Sequence, residues 1–113
     1  MSDAMEVKIE RDGDAVIVSP AGDVDLHRSP SFRERLKKAA DEKPKRLIVN
    51  LEGVPYMDSS GVATLVEAMQ IARRQSMTLV LCGVQTRVRS ILEIARLDQL
   101  FKIADNAAAA KTL

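Results

Sequence analysis

Residues 57–62, with the sequence MDSSGV, place a carboxylate, two hydroxyls and a glycine between two apolar segments of the chain. Asp and Ser are favoured at helix N-caps, where one such residue is worth about 1 kcal/mol. A serine hydroxyl in such a turn can also accept a phosphoryl group from a kinase, or act as a nucleophile when a base lies beside it. The residue types alone leave the cap and the chemical site both open.

A second polar stretch, residues 22–25 (GDVD), contains Asp23 and Asp25. These carboxylates could start a metal site, but further ligands are missing nearby, and they could equally be solvated side chains of a loop. His27 supplies the residue type for a Ser-His-Asp triad with residues 57–62, although this lone histidine is expected on the loop surface. The sequence contains no GxSxG elbow, Walker loop, GxGxxG motif or metal-ligand cluster. We therefore predict no catalytic, cofactor or metal site and no enzymatic activity, so any ATP must be supplied by another protein.

The elements that would position these residues follow from hydrophobic periodicity. Predicted strands are Met5–Glu10, Ala15–Ser19, Arg46–Leu51 and Met77–Cys82. Predicted helices run from Ser29-Pro30, with Ser29 as N-cap, to near Pro44, from about Ser60 through Ala72, and from Val88 to Ala95. A turn and short strand around 97–101 and a terminal helix starting near Asp105 or Asn106 complete the order.

This order, β-β-α-β-α-β-α-(β)-α, predicts an α/β fold with a central mixed sheet of four to five strands and helices packed on it. The 113 residues are expected to form one domain, 1–113. Both polar stretches fall at strand-to-helix junctions, at the carboxyl ends of strands, where functional loops of such sheets lie. A helix beginning near Ser60 would also direct its first free backbone amides towards the Ser59 hydroxyl, where a phosphate would be well received.

Composition narrows the class of protein. The formal charge of +1, from 17 basic and 16 acidic residues, and the 3% aromatic content argue against nucleic acid as a partner. The sole cysteine, Cys82, lies in an apolar run, which excludes a disulfide framework and predicts a buried core residue in a reducing cytoplasm. The charged N-terminal segment has no apolar leader, and no apolar run approaches the roughly 20 residues of a membrane span. A cytoplasmic protein without membrane insertion is predicted.

The order of elements and two motifs together resemble the STAS domain, most closely its anti-sigma factor antagonist branch. The matching residues are 22–25 (GDVD) after the second strand, 58–61 (DSSG) after the third, and 87–101 (RVRSILEIARLDQLF) in the third helix and following turn. The likeness covers roughly residues 5 to 112. In that family the first serine of the DSxG motif is phosphorylated by a partner that is both kinase and anti-sigma factor, and this position maps onto Ser59.

The resemblance implies a partner switch. Unphosphorylated, the chain would bind the kinase and free the sigma factor; phosphorylated on Ser59, it would let go, and a phosphatase would reset it. Residues that this carries onto the partner-binding surface are Asp23, Asp25, Asp58, Ser60 and Gly61. Gly61 could let a partner approach closely or could serve turn geometry alone.

A second interpretation keeps the same fold without a phosphate cycle. The chain would then be a constitutive STAS interaction subunit of a larger assembly, such as a lipid-transport ATPase complex or a stress-signalling scaffold. Three residues depart from the family pattern: Asn50 stands for Asp, Val62 for Leu, and Arg96 for a glycine that often ends the third helix. Because glycine would have supplied an easy left-handed cap, Arg96 predicts a different helix end.

Overall fold

The computed structural model describes residues 4–113, and residues 1–3 of the predicted 1–113 domain lie outside them. The strands are β1 (Glu6–Asp12), β2 (Ala15–Ala21), β3 (Arg46–Asn50), β4 (Thr78–Cys82) and β5 (Lys102–Ala104). The helices are α1 (Ser29–Asp41), α2 (Ser59–Arg74), α3 (Thr86–Ile94) and α4 (Ala107–Ala110). The order confirms the predicted α/β fold class, and the optional fifth strand is present.

The strands lie in sequence order, β1-β2-β3-β4-β5, in one mixed sheet. β1 and β2 form an antiparallel hairpin, while β2, β3, β4 and β5 run parallel. In the parallel register Val18 lies opposite Val49, and Val49 lies opposite Leu81. The carboxyl ends of β2, β3 and β4 therefore reach the same edge of the sheet, and the loops that follow them are neighbours.

Alternate residues of the strands face two separate apolar clusters. The larger cluster joins one face of the sheet to α1, α2 and α3, and the smaller joins the other face to α4. Cys82 belongs to the smaller cluster and is fully buried, as predicted. Burial, with a smaller contribution from the charge of Glu52, raises the pKa of this thiol to about 11. The thiol therefore stays protonated and unreactive near neutral pH.

Each of the three longer helices is followed, two positions after its last residue, by a non-glycine residue with left-handed backbone: Lys43 (φ 52°), Ser76 (φ 57°) and Arg96 (φ 59°). At the end of α3, the N–H of Arg96 donates to the carbonyl of Glu93 (3.0 Å) and the N–H of Leu97 donates to that of Leu92 (2.8 Å). This is a Schellman motif. The expectation that Arg96 changes the helix end is wrong, because the arginine adopts the conformation that glycine would have taken while Leu97 packs against the core.

Replacing Arg96 by glycine is accordingly expected to stabilise the protein. A left-handed conformation costs an L-residue about 1 kcal/mol that glycine does not incur, so urea unfolding should show a gain of this size in the free energy of unfolding. Arg89→Gly, at an exposed interior position of α3, should instead lose about 1 kcal/mol. Equal losses in the two variants would contradict this explanation of the helix end.

Candidate functional site

The N-terminus of α2 is organised by one carboxylate. Asp58 is the N-cap in extended conformation, and its Oδ1 accepts hydrogen bonds from the N–H of Ser60 (2.9 Å) and of Gly61 (3.4 Å). The Ser60 hydroxyl donates to the same oxygen at 2.5 Å. The helix therefore begins at Ser59, one residue earlier than predicted, and the first residue after the cap is the candidate acceptor serine.

Two adjacent serines have different environments. Ser59 is exposed, whereas Ser60 is half-buried and its hydroxyl is held by Asp58. The expected phosphate pocket of free amides is wrong in detail, since the amides of Ser60 and Gly61 already donate to Asp58. A phosphate on Ser59 would gain the helix dipole but would also face a carboxylate.

That carboxylate is ionised at neutral pH. The hydrogen bond from the Ser60 hydroxyl is the main cause that holds the pKa of Asp58 below its usual value, and the Ser60 and Gly61 amides add to it against an opposing effect of desolvation. Because the folded state has the lower pKa, the interaction stabilises the fold above the ordinary carboxyl pKa of about 3.9. This contribution is lost as the pH falls through the folded pKa.

Substitution of Asp58 tests this cap. Asp58→Ala is expected to lower the free energy of unfolding at neutral pH by about 1–2 kcal/mol, since three donors lose their acceptor, and the deficit should shrink below about pH 4 as the wild-type carboxylate protonates. Asp58→Asn keeps an amide oxygen as cap and should lose less. Urea unfolding at several pH values measures both. A deficit that is independent of pH would show that the charge of Asp58 does not contribute.

Residues 22–25 lie directly beside this helix start, as the shared sheet edge predicts. Val24 forms a parallel bridge with Met57: its N–H donates to the carbonyl of Tyr56 (3.0 Å) and its carbonyl accepts from the N–H of Asp58 (3.0 Å). The sheet pairing of β2 and β3 thus continues, after a break, into the loops. The two motifs form one continuous surface, although a role of that surface in binding a partner stays a prediction.

Asp23 and Asp25 differ within that surface. Asp23 is exposed, whereas Asp25 is half-buried and its Oδ1 accepts from the N–H of His27 (3.0 Å) and of Arg28 (2.9 Å). The Asp25 carbonyl also accepts from the N–H of Ser29 at 2.8 Å. The predicted Ser29 cap is wrong: Arg28 occupies the cap position without a side-chain bond, and Ser29 is a buried first residue of α1. Asp25 therefore shapes the turn into α1.

Gly61 is buried against the neighbouring loop. A Cβ added at this position would lie 2.9 Å from Cβ of Met57 and 3.0 Å from Cγ1 of Val24. Glycine is thus required for close packing of α2 on the bridged loops. The predicted contact of Gly61 with a partner stays a prediction, but its internal role is evident.

An open groove that sequence reasoning missed lies between the start of α2 and the last turns of α3. It has a volume of about 310 Å³ and is lined by Tyr56, Met57, Asp58, Ser59, Val62, Ile91, Ile94 and Ala95. Ile94 is 83% exposed, and the Arg87 guanidinium lies 4.9 Å from the centroid of the Tyr56 ring. The sequence contains one indication of an exposed apolar residue here, because Ile94 lies outside the apolar stripe of α3, which comprises Val88, Ile91, Leu92 and Ala95.

The remaining predictions concern His27, metal ligands and membrane spans. His27 is exposed in the turn before α1, as predicted. Within residues 4–113, no three His, Cys, Asp or Glu side chains come together in an arrangement suited to a metal ion. None of the helices in this range is both long and apolar enough to cross a lipid bilayer.

Comparisons with known proteins identify the family of this fold. Residues 6–110 match the STAS domain family. The chain is 32% identical over 103 residues to an anti-sigma-B factor antagonist of Listeria monocytogenes, covering 91% of this chain and 90% of the relative.

Solved structures share the fold at lower sequence identity. An anti-sigma factor antagonist from Mycobacterium paratuberculosis superposes with a TM-score of 0.88 at 18% identity, covering 99% of this chain and 97% of that one. The Bacillus cell fate determinant SpoIIAA in its phosphorylated form gives 0.72 at 20% identity, covering 95% and 98%. On the family match and the Listeria relative, the chain belongs to the STAS domain family, in the group of the anti-sigma factor antagonists.

Proposed function

We propose that this chain is an anti-sigma factor antagonist whose unmodified form binds an anti-sigma factor that is also a serine kinase, thereby freeing a sigma factor in the cytoplasm. Phosphorylation of Ser59 ends that binding, and a phosphatase restores it. The observation that carries the proposal is the exposed Ser59 at the first position of α2, beside a serine whose hydroxyl is already committed to Asp58. The name of the Listeria relative supports the same function.

The chain is the substrate in this proposal and not the enzyme. A phosphoryl acceptor needs an accessible oxygen, and Ser59 offers one, whereas Ser60 would first have to break its bond to Asp58. The base that accepts the serine proton and the groups that hold ATP and magnesium belong to the kinase, as in other protein kinases. The role of this chain is to present one hydroxyl on a rigid helix start.

Release follows from charge. Phosphate adds about −1.5 to −2 charges at neutral pH, next to the Asp58 carboxylate, whose pKa is lowered. The nearest helix amides are already bonded to that carboxylate, so they do not neutralise the phosphate. Covering this negative patch without opposing cations costs several kcal/mol, and about 3 kcal/mol weakens binding over a hundredfold.

The fold itself is expected to tolerate the modification. Ser59 is exposed at the positive end of a 16-residue helix, whose dipole offsets part of the repulsion between a phosphate and Asp58. A structure of SpoIIAA, which shares this fold, has been solved in a phosphorylated form. The phosphate therefore acts on the partner, and the structure of the antagonist itself is kept.

The test uses the purified chain and the candidate anti-sigma kinase of the same genome. With ADP, we expect a stable complex in calorimetry; with ATP, the intact mass should rise by one phosphate and the complex should dissociate. A complex that survives ATP with no mass change would favour the constitutive STAS interaction subunit. Absence of a complex with ADP would contradict the proposed function directly.

A further inference from the structure

The groove between α2 and α3 shares a wall with the proposed phosphorylation site. Ser59 lines it together with Val62 of α2 and Ile91 and Ile94 of α3, so the acceptor hydroxyl and an apolar concavity are neighbours. Ile94 leaves 83% of its surface in water. Scattered exposed apolar residues are ordinary, but here the exposed isoleucine lines a groove beside the proposed site.

Because protein interfaces are large, a partner that binds at Ser59 also covers this groove. A specific interface covers roughly 800 Å² on each partner, which corresponds to a patch about 30 Å across. The described chain measures 33 × 31 × 24 Å. A kinase centred on Ser59 therefore covers most of one side of the molecule, and the groove adjoining Ser59 falls within that footprint.

The side chains that line the groove favour binding of an apolar group. Apart from Asp58 and Ser59 at one wall, the lining side chains are aliphatic or aromatic, and the nearby Arg87 stacks on Tyr56. An apolar side chain of the partner would remove the exposed Ile94 and the half-buried Ile91 from water without leaving a charge unpaired. Buried anchors of this kind typically dominate the affinity of an interface.

We propose that this groove receives an apolar side chain of the kinase that phosphorylates Ser59, with Ile94 as the main contact. This inference rests on the proposed function. The same contact increases the difference in affinity between the unmodified and the phosphorylated chain. When the anchor fills the groove it excludes water from the wall formed by Ser59, and a phosphate on that wall would then have to lose its hydration. The docked anchor and a phosphate already present on Ser59 therefore oppose each other at this wall.

Substitutions at Ile94 test this assignment by calorimetry with the candidate kinase and ADP. We expect Ile94→Ala to weaken binding at least about tenfold, or 1.4 kcal/mol, and Ile94→Asp about a hundredfold. In phosphorylation assays Ile94→Ala should raise KM and leave kcat unchanged, since it removes binding and not chemistry. Thermal unfolding should match wild type because the side chain is exposed.

Leu100 provides the matched control. It is 51% exposed and lines a different pocket, with Met69 and Arg73 towards the far end of α2. Leu100→Ala should bind within about twofold of wild type.

Wild-type affinity in both Ile94 variants, or equal losses at Ile94 and Leu100, would overturn the inference while the proposed function stands. A wild-type chain that self-associates through Ile94 in sedimentation would assign the groove to a second copy and also overturn it. Failure of wild type to bind the kinase would overturn the proposed function as well.

Discussion

Ser59→Ala is expected to gain no phosphate and to remain bound to the anti-sigma kinase in the presence of ATP, under conditions in which the wild-type complex falls apart. The reason is that the exposed hydroxyl of Ser59 is the proposed acceptor, while its removal deletes no contact that holds α2 in place. The difference in affinity after incubation with ATP should exceed about a hundredfold. Intact-mass measurement and calorimetry on the same samples provide both readouts.

Ser60→Ala is the matched variant. It loses the 2.5 Å bond to Asp58, so it should be less stable, yet it should still gain one phosphate. Ser59→Asp should bind more weakly than wild type without ATP, though less so than the phosphorylated chain because its added charge is smaller. Phosphate on Ser59→Ala would contradict the assignment of Ser59, and together with its absence on Ser60→Ala it would move the acceptor site to Ser60.

Gly61→Ala is expected to destabilise the protein by about 1–3 kcal/mol, although the same change in an ordinary helix stabilises by up to about 1 kcal/mol. The sign reverses because the new Cβ would lie 2.9 Å from Cβ of Met57, closer than side-chain carbons approach one another, and 3.0 Å from Val24. Either α2 or the bridged loops must move. Urea denaturation measures the loss.

A neighbouring position separates crowding from helix propensity. Ala63 is exposed two residues further along α2, and Ala63→Gly should lose about 1 kcal/mol by propensity alone. If Gly61→Ala instead gained stability, the close packing of the helix on Val24 would not be required. Kinase binding by Gly61→Ala should fall in step with any displacement of Ser59.

Much of the fold could be predicted because periodicity reports which face of an element is buried. The alternation of Met5, Val7 and Ile9 and the apolar runs of β3 and β4 indicated their strands, and the order of elements placed 22–25 and the DSSG motif at strand-to-helix junctions. Asp58 as part of the cap also followed from residue type. These inferences needed only local pattern and the rule that carboxyl ends share an edge.

Errors arose where tertiary contacts override local preference. Ser29 has the residue type of a cap, but the main chain and carboxylate of Asp25 organise that turn and leave Ser29 buried. Arg96 lacks the freedom of glycine, yet the packing of Leu97 holds it in the left-handed conformation. The groove at Ile94 depends on how two helices approach each other, which no single helix pattern contains.

The bridge between Val24 and Met57 affects how tightly a partner can bind. Flexible recognition loops lose conformational entropy when they are captured, at roughly 0.5–1.5 kcal/mol for each side chain that becomes ordered. Here backbone hydrogen bonds join the two loops during folding, before any partner arrives. The surface around Ser59 is thus preorganised, and the binding free energy that ordering would have consumed instead adds to the affinity for a partner.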